Sequence, residues 1–357
     1  MDGPWPINFF YCANIVICCK ESLVNGYFPL TGGVLIGLKP SSQRQATFTH
    51  EAAEQHHTER GLLMRKPPAY ADRWWSTDDG LRLYARDYAA GPGRVRLPVI
   101  CLHGLTRNSA DFEDVAPYIA ALDRRVIVPD IRGRGLSEYD QDPTNYHIWT
   151  YARDILDLCD SMGIGQAIFV GTSMGGLITM VLSTLRPTLI RAAVLNDAGP
   201  VLSAKGLARI SSYAAQTHQV FRNWHDAAVY IAEHNKVAFP NYTPNDWQKF
   251  AKRVFIKGRD GLLRPAYDPR ITEAFKSVTV TASTYDMAPC YMSLATGRRI
   301  LLVRGALSDL LEDSEALGMA SLSPQFERVD IDYVGHAPML TEPPARAAIT
   351  DFLESQG

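Results

Sequence analysis

Apolar and polar positions follow two different periods along most of the chain. Short continuous apolar runs, several of them ending in glycine or aspartate, are typical of buried strands in a parallel sheet. Segments with apolar residues three or four positions apart lie between these runs and predict amphipathic helices. From about residue 70 onward, strands therefore alternate with helices. This order predicts an α/β fold with a mostly parallel sheet and helices on both faces.

The predicted elements can be given as ranges. We predict strands at 81–89, 97–104, 125–130, 166–173, 191–200, 298–305 and 325–335. We predict helices at 149–163, at 174–185 and near 341–355.

Residues 201–297 break the alternation, because they contain helical periodicity and aromatic residues but no convincing buried strand. Two of the predicted helices here begin at Asn223 and Thr243, residue types preferred at helix N-caps. We predict that this interval is a helical cap over the carboxyl edge of the sheet, where open α/β sheets bind ligands. Residues 64–200 and 298–357 then form the core.

Residues 1–63 show no steady hydrophobic period, and the polar stretch at 41–60 has no apolar stripe. The apolar run at 7–19 lacks the preceding positive charges of a signal peptide. We predict a poorly ordered N-terminal extension. It is either a genuine appendage or upstream sequence that is not native, since Met64 begins a segment that resembles a natural start.

Composition narrows the class of protein. The formal net charge is -2 without any Lys/Arg-rich run, which argues against nucleic-acid and anionic-membrane partners. No apolar stretch reaches the roughly 20 residues of a membrane helix. The six cysteines are clustered near the N-terminus or scattered in apolar runs, as expected for reduced thiols. We expect a cytoplasmic protein with a small-molecule partner; the oligomeric state stays open.

The stretch Gly171-Thr172-Ser173-Met174-Gly175 lies between a predicted strand and a predicted helix. It fits the G-x-S-x-G pattern of a nucleophile elbow. The turn brings the residues two before and two after the serine together, so both are glycine. A tight connection without chemistry is the alternative, but the strand–turn–helix context favours an activated serine.

The sequence also contains candidates for a general base and for an oxyanion site. His336 follows the last predicted strand, and its imidazole is expected at the same sheet edge as Ser173. The backbone N–H groups of Leu105 and Met174 are the predicted oxyanion donors. His103, beside Leu105, is expected to be structural rather than a base.

The acid is predicted to be Asp309, in the loop after the strand at 298–305. Asp197, after the preceding strand, and Asp332, close to His336, are alternatives. Arg107 is a candidate partner for a substrate carboxylate through a bidentate pair, with a solvated or structural arginine as the alternative.

These residues resemble the α/β-hydrolase fold superfamily. The segments LHGLTRNSADF, VPDIRGRGLSEYD, VGTSMGGL, RGALSDLL and VGHAPMLTEP carry the resemblance, which covers the chain from about residue 70. The order Ser173, Asp309, His336 is that of these enzymes. The chain is most similar to small cap-bearing bacterial hydrolases, a group of esterases, enol-lactonases, C–C hydrolases and cofactor-free haloperoxidases. A serine nucleophile argues against dehalogenases and epoxide hydrolases.

The sequence therefore predicts a serine hydrolase that cleaves a small, partly apolar ester, lactone or related carbonyl compound through an acyl-enzyme. No metal or organic cofactor is expected. Hydrolysis of a C–C bond in a ring-cleavage product by the same triad is the alternative among enzymes. A ligand receptor on a hydrolase scaffold is the alternative from another class.

Overall fold

The computed structural model describes residues 70–214, 219–272 and 287–357. Within these ranges the strands are β1 (Ala71–Ser76), β2 (Arg82–Tyr88), β3 (Val99–Leu102), β4 (Val126–Asp130), β5 (Ala167–Thr172), β6 (Ile190–Asn196), β7 (Phe255–Lys257), β8 (Leu263–Pro265), β9 (Arg299–Gly305) and β10 (Phe326–Ile331). The α-helices are α1 (Val115–Ala120), α2 (Ile148–Ser161), α3 (Met174–Leu185), α4 (Ala204–Ala214), α5 (Trp224–Asn235), α6 (Pro244–Val254), α7 (Ala288–Ala295), α8 (Asp313–Leu322) and α9 (Pro343–Glu354).

Eight strands form one sheet in the order β1-β2-β4-β3-β5-β6-β9-β10. Strand β2 is antiparallel to both of its neighbours, and the pairs from β4 to β10 are parallel. The mostly parallel sheet predicted from the alternation is therefore confirmed. Strand β1 was not predicted, because Trp75 is its only buried residue and its sequence shows no alternation.

Helices cover both faces of the sheet. Ile100 and Leu102 of β3 join the core that includes residues of α2, α3 and α7. Val99 and Cys101 alternate with them and join the core that includes residues of α1 and α9. The alternation arises because successive side chains of a strand point to opposite faces.

The interval 201–297 is mainly helical where it is described. The side chains of Asn223 and Thr243 cap α5 and α6, as predicted, each accepting a bond from a backbone N–H in the first turn. A two-stranded hairpin, β7 with β8, was not expected there. Helix α7 packs against α3 of the core, while α5 and α6 pack against each other. The cap remains a prediction.

The extension predicted for residues 1–63 lies outside the described residues. Cys101 and Cys159 are buried free thiols, as expected, and Cys290 is buried. In the part of the chain that is described, no helix combines the length and the apolar character needed to cross a bilayer.

Candidate active site

Adjacent parallel strands bring three sequence-distant residues to one edge of the sheet. Ser173 follows β5, Asp197 follows β6 and His336 lies in the loop after β10. Because β5, β6, β9 and β10 are neighbours and run in the same direction, their carboxyl ends meet at this edge. Open α/β sheets bind their ligands at such an edge.

The backbone of Ser173 adopts an unusual conformation, with φ 52° and ψ −114°. The turn is crowded, as the glycine spacing predicts. A Cβ on Gly171 would lie 2.5 Å from the carbonyl carbon of Gly175, and a Cβ on Gly175 would lie 2.1 Å from the carbonyl oxygen of Leu102. Only glycine fits at these two positions, and the strained turn presents the Ser173 hydroxyl at the start of α3.

His336 bridges the serine and an aspartate. Its Nε2 lies 2.9 Å from Ser173 Oγ, and its Nδ1 lies 2.7 Å from Asp197 Oδ2. A carboxylate can only accept, so we assign the proton of the neutral ring to Nδ1. This tautomer leaves the Nε2 lone pair free to take a proton from the Ser173 hydroxyl.

Asp197 is fully buried, and both of its carboxylate oxygens accept hydrogen bonds. Its Oδ2 also accepts a bond of 2.6 Å from the Ser308 hydroxyl, and its Oδ1 accepts one of 3.1 Å from the backbone N–H of Gly305. These three donors satisfy the buried carboxylate and hold it in a fixed orientation. It can therefore orient the ring of His336 and stabilise its protonated form.

The structure contradicts the predicted place of Asp309. Its carboxylate forms a bidentate ion pair with Arg209 of α4, with distances of 2.6 Å and 2.7 Å. Burial disfavours ionisation of Asp309, but the bonds and charge of Arg209 outweigh it, so its pKa lies below the usual value. The alternative considered from the sequence, Asp197, faces His336 instead. The loop after β9 supports that aspartate through Ser308.

The predicted oxyanion donors lie beside the serine. An added Cβ on Gly104 would lie 3.8 Å from Ser173 Cβ, so the loop carrying Leu105 packs directly on the elbow. Among the described residues, none accepts a hydrogen bond from the N–H of Leu105 or of Met174. Both N–H groups are thus available to a substrate oxygen, and the helix dipole of α3 adds to the second.

His103 joins this loop to the sheet. Its ring is completely buried, with Nδ1 2.8 Å from the Gly104 carbonyl and Nε2 accepting from the Ile131 N–H at 3.1 Å. Burial lowers its pKa to about 4, so the ring is neutral near pH 7. Its position supports the structural role expected from the sequence.

Sequence comparison agrees with the fold. Residues 98–343, more than half of the chain, match the sequence model of the α/β hydrolase fold family. The chain belongs to the α/β-hydrolase fold family.

Individual relatives of this α/β hydrolase are enzymes named as hydrolases. A 3-hydroxybutyrate-oligomer hydrolase of Cupriavidus necator is 32% identical over 277 residues, covering 76% of this chain and 93% of the relative. A 2-(acetamidomethylene)succinate hydrolase of Mesorhizobium japonicum is 28% identical over 77% of this chain and 92% of its own. An α/β hydrolase of Novosphingobium aromaticivorans superposes with TM-score 0.75 at 42% identity, covering 80% of this chain and 99% of that chain. This α/β hydrolase is therefore an enzyme of the hydrolase class.

A cavity of about 130 Å³ reaches Ser173 and His336. Its polar lining includes Arg107, Arg209 and His234, and its apolar lining includes Phe250. Arg107 lies at the cavity, but its Nε and Nη2 bind Asp111 and its guanidinium stacks on the Phe250 ring, 4.1 Å from the centroid. Its contact with a substrate stays a prediction, and the pair with Asp111 reduces its attraction for an anion.

A second cavity, of about 90 Å³, also reaches Ser173. Its described lining is mainly apolar and includes Leu177, Leu202, Leu207 and Leu310. Leu105 and Ile210 line both cavities. The serine of this hydrolase therefore stands between one partly polar cavity and one apolar cavity.

Two residues near the site were missed by sequence reasoning. Arg209 was not singled out, because helical periodicity cannot tell which polar residue of α4 faces a cavity. Arg134 was not given a role either, but it is buried against the oxyanion loop. A signal existed, since Arg134 lies in the Asp-x-Arg-Gly-x-Gly segment directly after β4.

Proposed function

We propose that this α/β hydrolase is a serine hydrolase that cleaves a small, partly apolar ester, lactone or related carbonyl compound through an acyl-enzyme. One observation carries the proposal: His336 lies within hydrogen-bond distance of both Ser173 Oγ and the buried Asp197. The available N–H groups of Leu105 and Met174 support the same chemistry.

The chemical steps follow from the tautomer. His336 Nε2 accepts the proton as Ser173 Oγ attacks the substrate carbonyl, and the N–H groups of Leu105 and Met174 bind the oxygen that becomes negative. The intermediate collapses, and His336 returns the proton to the departing alkoxide. Water then attacks the acyl group with His336 again as base, which releases the acid and regenerates Ser173. Loss of one oxyanion donor typically costs about 3 kcal/mol of barrier.

The two cavities support a limit on substrate size. Their volumes of about 130 Å³ and 90 Å³ are below the roughly 300–1,000 Å³ of drug-sized ligand sites. An ester has a group on either side of its reacting carbonyl, so each cavity can take one group. We infer that the apolar cavity takes a short hydrocarbon part and that the cavity with Arg107 and Arg209 takes the more polar part.

A short oligoester of 3-hydroxybutyrate fits this description and is the substrate named for the Cupriavidus relative. Each unit has a small apolar part, and the chain ends in a hydroxyl and a carboxylate. We propose this class as the first to test. Cytoplasmic location is kept as the expectation from the sequence.

The experiment uses the full-length protein and its Ser173→Ala and His336→Ala variants. A fluorophosphonate probe should label the wild-type protein at Ser173, and a p-nitrophenyl ester should give a burst of one product per active site. Dimers and trimers of 3-hydroxybutyrate should be cleaved by wild type and not by either variant. Absence of a Ser173 adduct with retained hydrolysis would overturn the serine mechanism.

A substrate panel separates the reaction classes. It contains the hydroxybutyrate oligomers, simple lactones, 2-(acetamidomethylene)succinate and ring-cleavage products. Cleavage of only the last group would replace the ester proposal with C–C bond hydrolysis. Stoichiometric binding without turnover of any of them would favour a receptor.

A further inference from the structure

Arg134 is a fully buried arginine in the turn after β4. Among the described residues, no aspartate or glutamate forms an ion pair with it. Arg132, two positions earlier, is equally buried but pairs with Asp79, Asp140 and Asp154. A buried charge without an opposite charge destabilises the folded protein unless other polar groups surround it.

The contacts of Arg134 converge on the oxyanion site. Its Nε donates to the Leu105 carbonyl at 2.9 Å, and its Nη2 lies 3.7 Å from Met174 Sδ. Its Nη1 donates to the Arg132 carbonyl at 2.8 Å, and the Tyr151 ring centroid lies 4.8 Å from its guanidinium carbon. The guanidinium thus touches both residues whose N–H groups are the oxyanion donors.

These contacts have two physical consequences. The bond to the Leu105 carbonyl restrains the backbone of that residue and so the direction of its N–H. The positive charge also lies close to the place where negative charge forms on a substrate oxygen, in surroundings that water does not screen. A neutral side chain would lack the positive charge, and in an ion-paired arginine that charge would be compensated.

Building on the serine-hydrolase function proposed above, we propose that Arg134 is a positioning residue of the oxyanion hole. It holds Leu105 in place and contributes an uncompensated positive charge that favours the tetrahedral intermediate over the bound substrate. It does not touch the substrate itself.

The test compares Arg134→Met, Arg134→Gln and Arg134→Lys with a matched control, Arg124→Met. Arg124 is also fully buried, and no carboxylate among the described residues pairs with it, but it donates to the carbonyls of Leu97 and Leu353, away from the elbow. The assays are the acylation rate and KM with p-nitrophenyl butyrate, the inhibition constant of a trifluoromethyl ketone that forms a tetrahedral adduct, and the melting temperature.

We expect Arg134→Met and Arg134→Gln to lower the acylation rate about 10²-fold with KM changed less than about threefold. Affinity for the ketone should fall by the same factor, because the adduct carries the charge of the intermediate. Arg134→Lys should retain part of the acylation rate and part of the ketone affinity, because it keeps the positive charge. Arg124→Met should lose thermal stability but keep its rate and its ketone affinity.

Three results would overturn the proposal. One is a folded Arg134→Gln variant with wild-type acylation and ketone affinity. Another is a loss confined to KM, and the third is an equal loss of rate in Arg124→Met. Labelling of Ser173 by fluorophosphonate in the wild type separates these failures from failure of the serine mechanism, which would leave wild type itself unlabelled.

Discussion

Asp197→Asn separates the role of Asp197 from its contribution to the fold. The carboxylate accepts from Gly305 N–H at its Oδ1 and from both His336 and Ser308 at its Oδ2. An asparagine can keep its carbonyl oxygen on Gly305 and place its NH₂ group toward His336 and Ser308. His336 must then accept at Nδ1, so the hydrogen bonds to Gly305 and His336 are retained. The Ser308 hydroxyl already accepts from the N–H groups of Leu310 and Leu311, so its bond to residue 197 is lost.

This orientation keeps two of the three hydrogen bonds, so it costs little stability, and it removes the base. With Nδ1 as acceptor, the ring proton moves to Nε2, which then points at Ser173 Oγ and cannot take its proton. We expect kcat to fall about 10⁴-fold, equivalent to about 5 kcal/mol of barrier, with the melting temperature within a few degrees of wild type.

The assay is hydrolysis of p-nitrophenyl butyrate with the melting temperature measured alongside. Asp309→Asn is the matched control, since it removes a carboxylate from the neighbouring loop. Its pair with Arg209 is partly exposed, at 33% and 23% of the two side chains, and is worth about 1 kcal/mol or less. We expect its kcat within about threefold of wild type. A hundredfold loss in Asp309→Asn together with a near-normal Asp197→Asn would refute the assignment.

Three further expectations concern other parts of the chain. Burial lowers the pKa of His103 to about 4. Below about pH 6.5 this histidine therefore binds a proton in the unfolded chain but stays neutral in the folded protein. The free energy of unfolding should therefore fall by about 2 kcal/mol between about pH 7 and pH 5 in excess of the fall in His103→Gln, measured by urea titration; equal declines would contradict this. A chain starting at Met64 should keep its melting temperature and turnover, and substantial loss of either would show that residues 1–63 pack on the domain. Rates on p-nitrophenyl esters should peak at short acyl chains because the two cavities are small, whereas a rise past about twelve carbons or at an oil–water interface would indicate a lipase.

Much of the core could be read from the sequence. Buried parallel strands are continuous apolar runs, so β3, β4, β5, β6 and β9 were recognisable without any partner. The nucleophile elbow is equally local, since the crowding that excludes a Cβ at Gly171 and Gly175 arises within one turn and its neighbouring strand. His336 could be placed because it follows the last strand, and parallel strands end at one edge.

The choice between Asp197 and Asp309 depended on the tertiary structure. Both follow neighbouring strands, so strand order alone cannot separate them. The φ of 50° at Asp197 turns its side chain toward the imidazole, whereas Asp309 meets Arg209 from a helix about a hundred residues earlier in the chain. Such pairings depend on the paths of two loops and one helix in space, and no local pattern encodes them.

The same reason explains the other differences. Strand β1 lies at the edge of the sheet and buries a single side chain, so it has no hydrophobic signature of its own. Arg134 reads in the sequence as one polar residue of a turn, and only the packed fold shows it buried against Leu105. Local sequence determined where the buried parallel strands, the elbow and the histidine are. The tertiary structure decided which charged side chains face them, because charges are paired or left unpaired by contacts between distant segments.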